Sequence, residues 1–313
     1  MGINPNMYKK SALTTMYMAR DLFLTEPGER IPTISEYTQA FDVSRGIVQN
    51  ALEELTASGC ITTEKRGVLG TFLIRANREQ LYSRTGWGTC IGTMPIPVTP
   101  CFVSLATAVC EALASAPREF TFAYMSGAAK RIQALRDGNC DFTILSKGAA
   151  ERSIREDENL VICKELTGAC YETPYRLCFM DPAKTQVEDG MRIGVDPVCL
   201  DQVHLTNLLC KGKQIQIVEF PFVGLRDIVA SGRIDCTLFR DGSWNKDWQE
   251  LTMRTIPLSQ IPELAAVDTH TPVVLVRRDN YAVDRLLNKH LDAAAIEHIQ
   301  QQVLAGHRGM KFY

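Results

Sequence analysis

The chain has 313 residues, a formal net charge of −2, 45% hydrophobic and 22% charged residues. That is an ordinary globular composition, with enough apolar residues for a real core and length for about two or three domains. No run of about 18 apolar residues is present, which excludes a membrane-spanning helix. The start, MGINPNMYKK, lacks the apolar stretch and small-residue cleavage site of an export signal, so a cytoplasmic location is expected. Eleven cysteines occur without CxxC spacing, singly on apolar segments such as those of Cys101, Cys110, Cys178 and Cys236, so a reduced, buried role is expected. The histidines (His204, His270, His290, His298, His307) are scattered without ligand spacing, so neither a metal nor a cofactor is expected.

The most informative stretch runs from Pro27 to Leu73. Ile34 to Phe41 reads as a short helix, Asp42-Val43 as a tight turn, and Ser44 as the N-cap of a second helix reaching about Ser58. Asp42 suits a turn position in the left-handed backbone region. Val43, Ile47, Val48, Ala51, Leu52 and Leu55 recur at helical spacing, which leaves Arg45, Gly46, Gln49 and Asn50 facing outward. After Gly59, Cys60 to Thr63 and Thr71 to Ile74 alternate like strands around a loop, 64–70, that carries Lys65 and Arg66. A helix-turn-helix followed by a cationic wing points to duplex DNA, with Ser44, Arg45, Gln49, Asn50, Lys65 and Arg66 as the candidate contacts.

The motifs PGERIP, VSR, ALEEL and GTF, in that order, resemble the winged helix of GntR-type transcription regulators. Three positions where that family commonly has Arg hold Ser35, Gln49 and Leu69 here, and only Arg45 remains. Residues 1–75 carry eight Lys or Arg against eight Asp or Glu. Phosphate neutralisation supplies most non-specific affinity for DNA, so binding by one neutral module should be modest and a homodimer is expected. A winged helix used only for protein contacts is the alternative.

Residues 76–88 (ANREQLYSRTGWG) are polar and read as a linker. From Thr89 onward the chain contains a weak internal repeat. IGTM at Ile91, FTFAYM at Phe120 and RDGNCDFTIL in the first copy are matched by IGVD at Ile193, QIQIV at Gln214 and ASGRIDCTLF in the second. Gly138-x-x-Asp141-x-Thr143 and Gly232-x-x-Asp235-x-Thr237 superimpose. Each copy reads as strand, helix, strand, helix, strand, which implies a parallel sheet with helices on both faces. Thr99 and Pro100 suit the start of the first helix. Pro272 to Arg278 reads as a further strand, and one long helix is expected from about Tyr281 to Leu304, packed back onto the first lobe. The expected fold is multi-domain: a winged helix-turn-helix (1–75), the linker (76–88) and a bilobed α/β domain (89–313). Lobe one covers about 89–175 plus 272–313, and lobe two about 176–271.

The repeat and the phrase ALRDGNCDFTIL resemble the type II periplasmic-binding-protein fold, which also forms the effector domain of LysR-type regulators. Together with the GntR-like module, the whole chain is similar to the YhfZ family of regulators, which implies the two-module architecture and no particular ligand. In such sheets small molecules bind beyond the carboxyl ends of the strands. In lobe one this selects Thr99, Ser104, Ser126, Gly127, Ala128, Ser146 and Lys147. In lobe two it selects Asp196, Asp201, Phe222, Gly224 and Arg240. The strand-end cations Lys147 and Arg240 point to an anionic group on a small-molecule effector. A ligand-responsive regulator is therefore expected. The alternative is a cytoplasmic enzyme on the same fold, for which no nucleophile, base and orienter set can be named.

Overall fold

The computed structural model describes residues 9–221, 224–240 and 253–311. The N-terminal module contains α1 (Lys10–Leu24), α2 (Ile34–Phe41), α3 (Arg45–Ala57) and an antiparallel hairpin of β1 (Ile61–Lys65) and β2 (Thr71–Ala76). Thr33 and Glu36 form a capping box at the start of α2: Thr33 Oγ1 accepts from the Glu36 N–H at 3.2 Å, and the Glu36 carboxylate accepts from the Thr33 N–H at 2.5 Å. Asp42 ends α2 at φ 49°, as the turn requires. Ser44 stands at the N-cap of α3, but its side chain makes no cap hydrogen bond. Val48, Ala51 and Leu55 are buried and Ile47 and Leu52 half-buried. The preceding segment runs beside the hairpin, with the Gly28 N–H donating to Leu73 O at 2.7 Å and the Ile31 N–H to Thr71 O at 2.9 Å.

Two elements of this module were not anticipated. α1 supplies Met18, Ala19 and Leu22, all fully buried, to its core. The supposed linker is partly α4 (Arg78–Arg84), capped by Asn77, whose side chain accepts from the Gln80 N–H at 3.1 Å. Leu81 is fully buried, and Trp87 meets Phe23 edge to face with ring centroids 5.3 Å apart. Two turns of helix with one buried leucine are too short to display a period.

The first lobe contains β3 (Cys90–Met94), α5 (Pro100–Leu113), β4 (Phe120–Tyr124), α6 (Ala128–Arg136), β5 (Phe142–Ser146), α7 (Lys147–Glu156) and β6 (Leu160–Glu165). The second contains β7 (Tyr175–Phe179), β8 (Arg192–Val195), α8 (Leu200–Leu209), β9 (Gln216–Glu219), α9 (Leu225–Ala230), β10 (Cys236–Arg240), β11 (Arg254–Pro257) and α10 (Pro262–Ala265). The chain then returns through β12 (Pro272–Arg277), α11 (Tyr281–His290) and α12 (Ala293–Leu304) to lobe one. The sheet orders are β4-β3-β5-β12-β6 and β9-β8-β10-β7-β11, the same pattern twice.

The sheets are mixed rather than wholly parallel. The repeated strands pair in parallel, whereas β12 and β7, each arriving from the other lobe, lie antiparallel to their neighbours. The expected long terminal helix is broken near Leu291, because Asp292 caps a new helix by accepting from the Ala295 N–H at 2.8 Å.

The matched sequence motifs do the same work in both lobes. Asp141 Oδ2 accepts from the Ile91 N–H at 2.9 Å, and Asp235 Oδ2 from the Arg192 N–H at 2.7 Å. Thr143 Oγ1 donates to Thr93 O at 3.3 Å, and Thr237 Oγ1 to Gly194 O at 2.8 Å. Each pair ties the third strand of its lobe to the first where the ladder ends. By this register Thr93 corresponds to Gly194, so the look-alike glycines Gly92 and Gly194 sit one position apart. Arg192 also forks onto Asp235 and holds its carboxyl below the usual range.

α11 belongs to both modules. Its Ala282 and Leu286 lie in the same apolar cluster as Met18, Leu22 and Leu55 of the winged helix. Fully buried Asp21 accepts hydrogen bonds from the Tyr37 hydroxyl and the Arg285 guanidinium.

Two outcomes follow from this packing. Asp141→Ala and Asp235→Ala should each cost about 1–3 kcal/mol in thermal melting, by orphaning a strand N–H. The Asp235 contribution should be complete above about pH 4 and fade as pH falls through its lowered folded value, so a penalty that stays constant into acid would contradict the role. Leu286→Ala should cost about 2–5 kcal/mol through the cavity it leaves. Hydrogen exchange should then speed up in α1 and α3 as well as in α11, and acceleration confined to the C-terminal domain would refute a common core.

Candidate functional site

Between the lobes lies a cavity of about 160 Å³, bounded by the first turns of α5, α6 and α8, the end of β10 and the crossing segment before β7. Its apolar walls include Ile96, Val98, Phe102, Met125, Leu200 and Phe239, and its polar groups include Thr99, Ser126, Arg131, Glu172, Asp196 and Arg240. An apolar pocket with a few convergent polar groups is the usual form of a small-molecule site.

Asp201, 4% exposed at the start of α8, gathers donors from both lobes. From lobe one, Ser146 Oγ donates to it at 2.6 Å and Arg152 Nη2 at 2.7 Å. From lobe two, Arg240 Nη2 donates at 3.2 Å. Arg240 also donates to Thr173 O at 3.0 Å and Thr269 O at 3.3 Å, and its guanidinium carbon lies 4.1 Å from the centre of the Tyr175 ring. Burial opposes its charge, yet Tyr175 and Asp201 outweigh that and hold Arg240 above its usual pKa. This cation is already paired within the protein, sharing Asp201 with Arg152. Glu172, 1% exposed, accepts from Thr99 Oγ1 at 2.5 Å and from the Thr173 N–H at 2.8 Å.

Arg131 differs. It is 2% exposed, on the first turn of α6. Its Nη1 donates to Met125 O at 2.8 Å and its Nη2 to the Tyr171 hydroxyl at 2.9 Å, both neutral acceptors, while Nε has no hydrogen-bond partner. Among the described residues no carboxylate forms an ion pair with it. A buried guanidinium whose hydrogen bonds all go to neutral acceptors is costly to hold, and an unsatisfied buried donor adds to that cost.

Of the residues expected from strand ends, Thr99, Ser126, Gly127, Ala128, Asp196, Asp201 and Arg240 line the cavity. Gly127, at φ 82°, abuts the other lobe: a Cβ there would lie 2.5 Å from a Val198 methyl. Ser104 lies outside the cavity, inside α5, and donates to Cys101 O at 3.0 Å. Ser146 is turned to Asp201 and caps α7. Lys147 is paired with Glu165 at 2.9 Å, away from the cavity, and this ion pair raises its pKa. Gly224 begins α9 and does not line the cavity; Phe222 lies outside the described residues. Sequence reasoning missed Arg131, Glu172, Tyr171 and Tyr175. The spacing Ala128, Arg131, Ile132, Leu135 carries a helical signal for the first, whereas the crossing segment has no period.

On the winged helix, Ser44, Arg45, Gln49 and Asn50 are all exposed on one end of α3. On the wing, Arg66 forks onto Glu64 at 2.9 and 2.8 Å and covers the Phe72 ring, while Lys65 is exposed without an ion pair among the described residues. Among the described residues no group of three or more His, Cys, Asp or Glu is placed to hold a metal ion, and no helix is long and apolar enough to cross a membrane.

Comparisons with known proteins agree with this architecture. A helix-turn-helix domain family matches residues 26–73, and the YhfZ C-terminal domain family matches residues 77–312. The uncharacterized protein YhfZ of Escherichia coli strain K12 is 28% identical over 301 residues, covering 95% of this chain and 96% of its own. The crystal structure of YhfZ from Shigella flexneri superimposes with a TM-score of 0.63 at 24% identity, covering 75% of this chain and 97% of that one. An ancestral arginine-binding protein bound to arginine shares the fold, with a TM-score of 0.50 at 14% identity over 71% of this chain and 99% of its own. With a family match spanning most of its length and a relative that aligns almost end to end, this chain belongs to the YhfZ family.

Proposed function

We propose that this protein is a DNA-binding transcription regulator, working in the cytoplasm as a homodimer, whose interlobe cavity takes a small anionic metabolite. The observation that carries the ligand reading is Arg131: a buried guanidinium with an unused Nε, lining a cavity and forming no ion pair among the described residues. A carboxylate or phosphate there would supply the missing charge and acceptor together. The first turn of α6 adds a favourable helix-dipole field for the same anion. Arg240, the cation favoured by its strand-end position, is already occupied by Asp201 and contributes mainly by shaping the wall. The DNA reading rests on the exposed face of α3 and the wing.

A ligand that bridges the lobes shifts the protein toward closure only if it binds the closed form better. The test is a thermal-shift screen of the full chain against small carboxylates, phosphates and neutral amides. A binder at a hundred times its dissociation constant should add about 2.7 kcal/mol. Arg131→Met should weaken an anionic binder by about tenfold or more, in line with loss of a charge-assisted hydrogen bond. Gly127→Ala should also weaken it, because the added Cβ presses on Val198 and opposes closure. Full affinity in Arg131→Met, measured by calorimetry, would remove the basis for the anion site.

For DNA, selection from random duplexes at low salt should return an enriched two-fold site. Arg45→Ala should cost about 1–3 kcal/mol and relax specificity if it reads a base edge, whereas Lys65→Ala should mainly flatten the salt dependence. The absence of any enriched sequence, or a monomer by light scattering with and without DNA, would count against this reading.

A further inference from the structure

Cys101 and Cys170 bring their sulfur atoms to 3.6 Å from each other. Cys101 is the second residue of α5 and is 8% exposed, while Cys170 is half-buried in the segment that crosses from β6 to β7. The backbones on either side of the pair are held by Gln300 of α12, itself 2% exposed. Its amide donates to Cys170 O at 2.7 Å and Cys101 O at 3.3 Å, and accepts from the Cys170 N–H at 2.7 Å. Two thiols on different elements are thus kept side by side by a third.

We propose that Cys101 and Cys170 form a reversible disulfide, a modification site that fastens the interlobe crossing to α5. A disulfide requires sulfurs about 2.05 Å apart, so they must approach by roughly 1.5 Å, which is within the scope of side-chain rotation. The two thiols share a hydrogen bond. Cys170 is the more exposed of the two, so an oxidant in solution reaches it first. The oxidant is a low-molecular-weight disulfide. The Cys170 thiolate attacks one of its sulfurs, the small S–S bond breaks, and one small thiolate leaves. Cys101 then gives up its proton and attacks Cys170 Sγ, expelling the second small thiolate. Two protein thiols are oxidised to one disulfide, one small disulfide is reduced to two thiols, and the two protons end on those thiols. Cys178 and Cys236, by contrast, are pushed up to about 12 by burial and stay protonated.

The link would run alongside an existing contact. Thr99, two residues before Cys101, already donates to Glu172, two residues after Cys170, and both line the cavity. Oxidation therefore adds a covalent bond where the crossing segment leaves lobe one, and the hinge between the lobes loses freedom.

The test equilibrates the full chain with a series of reduced and oxidised glutathione ratios, blocks remaining thiols by alkylation and maps peptides without reduction. A Cys101–Cys170 cross-linked peptide should appear as the ratio becomes oxidising and disappear on adding reductant. Cys170→Ser should abolish it, and Cys101→Ser should instead retain glutathione on Cys170. In the oxidised protein, amide exchange in residues 166–174 should slow by roughly tenfold. Both cysteines fully alkylated at the oxidising end, or a cross-link to another cysteine, would overturn the site. A correct cross-link with unchanged exchange would overturn its effect on the hinge.

Discussion

Asp201 holds a carboxylate at 4% exposure, and a charge so placed persists only when donors surround it. Its donors come from both sides of the cleft: Ser146 and Arg152 from one lobe and Arg240 from the other. Parting the lobes would leave the carboxylate with Arg240 alone until water replaced the lost partners. The arrangement of the two lobes is therefore tied to a specific polar contact, beside the apolar contact of Leu200 with the lobe-one core, and the cavity walls take their positions from it. The contact of Gly127 with Val198 is possible only at that separation.

Two arginines of the cavity show how little residue type alone decides. Arg240 is enclosed by an acid, two carbonyl oxygens and an aromatic ring, so its charge is settled within the chain. Arg131 is equally buried and has only neutral acceptors. The difference arises from what stands opposite each side chain. For Arg131 that is the hydroxyl of Tyr171, delivered by a crossing segment far away in sequence.

Much of the N-terminal module and the two-lobed plan could be read from local pattern. The Asp42 turn, the buried stripe of α3 and the wing depend on residues within a few positions of one another. The paired Gly-x-x-Asp-x-Thr motifs predicted equivalent strands, and both carry out the same strand-tying hydrogen bonds. What escaped was set by contacts between distant segments. α4 is too short to show a period, the antiparallel placement of β7 and β12 follows from chain crossings, and Lys147 was diverted to Glu165 at the end of β6, beyond the intervening β12. Arg131 was not singled out, although its spacing from Ile132 and Leu135 places it on the inner side of α6.

The participation of α11 in the winged-helix core has a consequence for how such a chain can be recombined. A winged-helix segment cut at residue 75 would lack Leu81 and Trp87 as well as Ala282 and Leu286, all members of its own apolar cluster. It would also leave buried Asp21 without the guanidinium that reaches it from α11. The module is consequently not an interchangeable cassette. Grafting it onto another domain, or fusing this bilobed domain to a foreign winged helix, requires carrying α4 and the α11 surface along with it, and an inherited domain swap would have to preserve that seam.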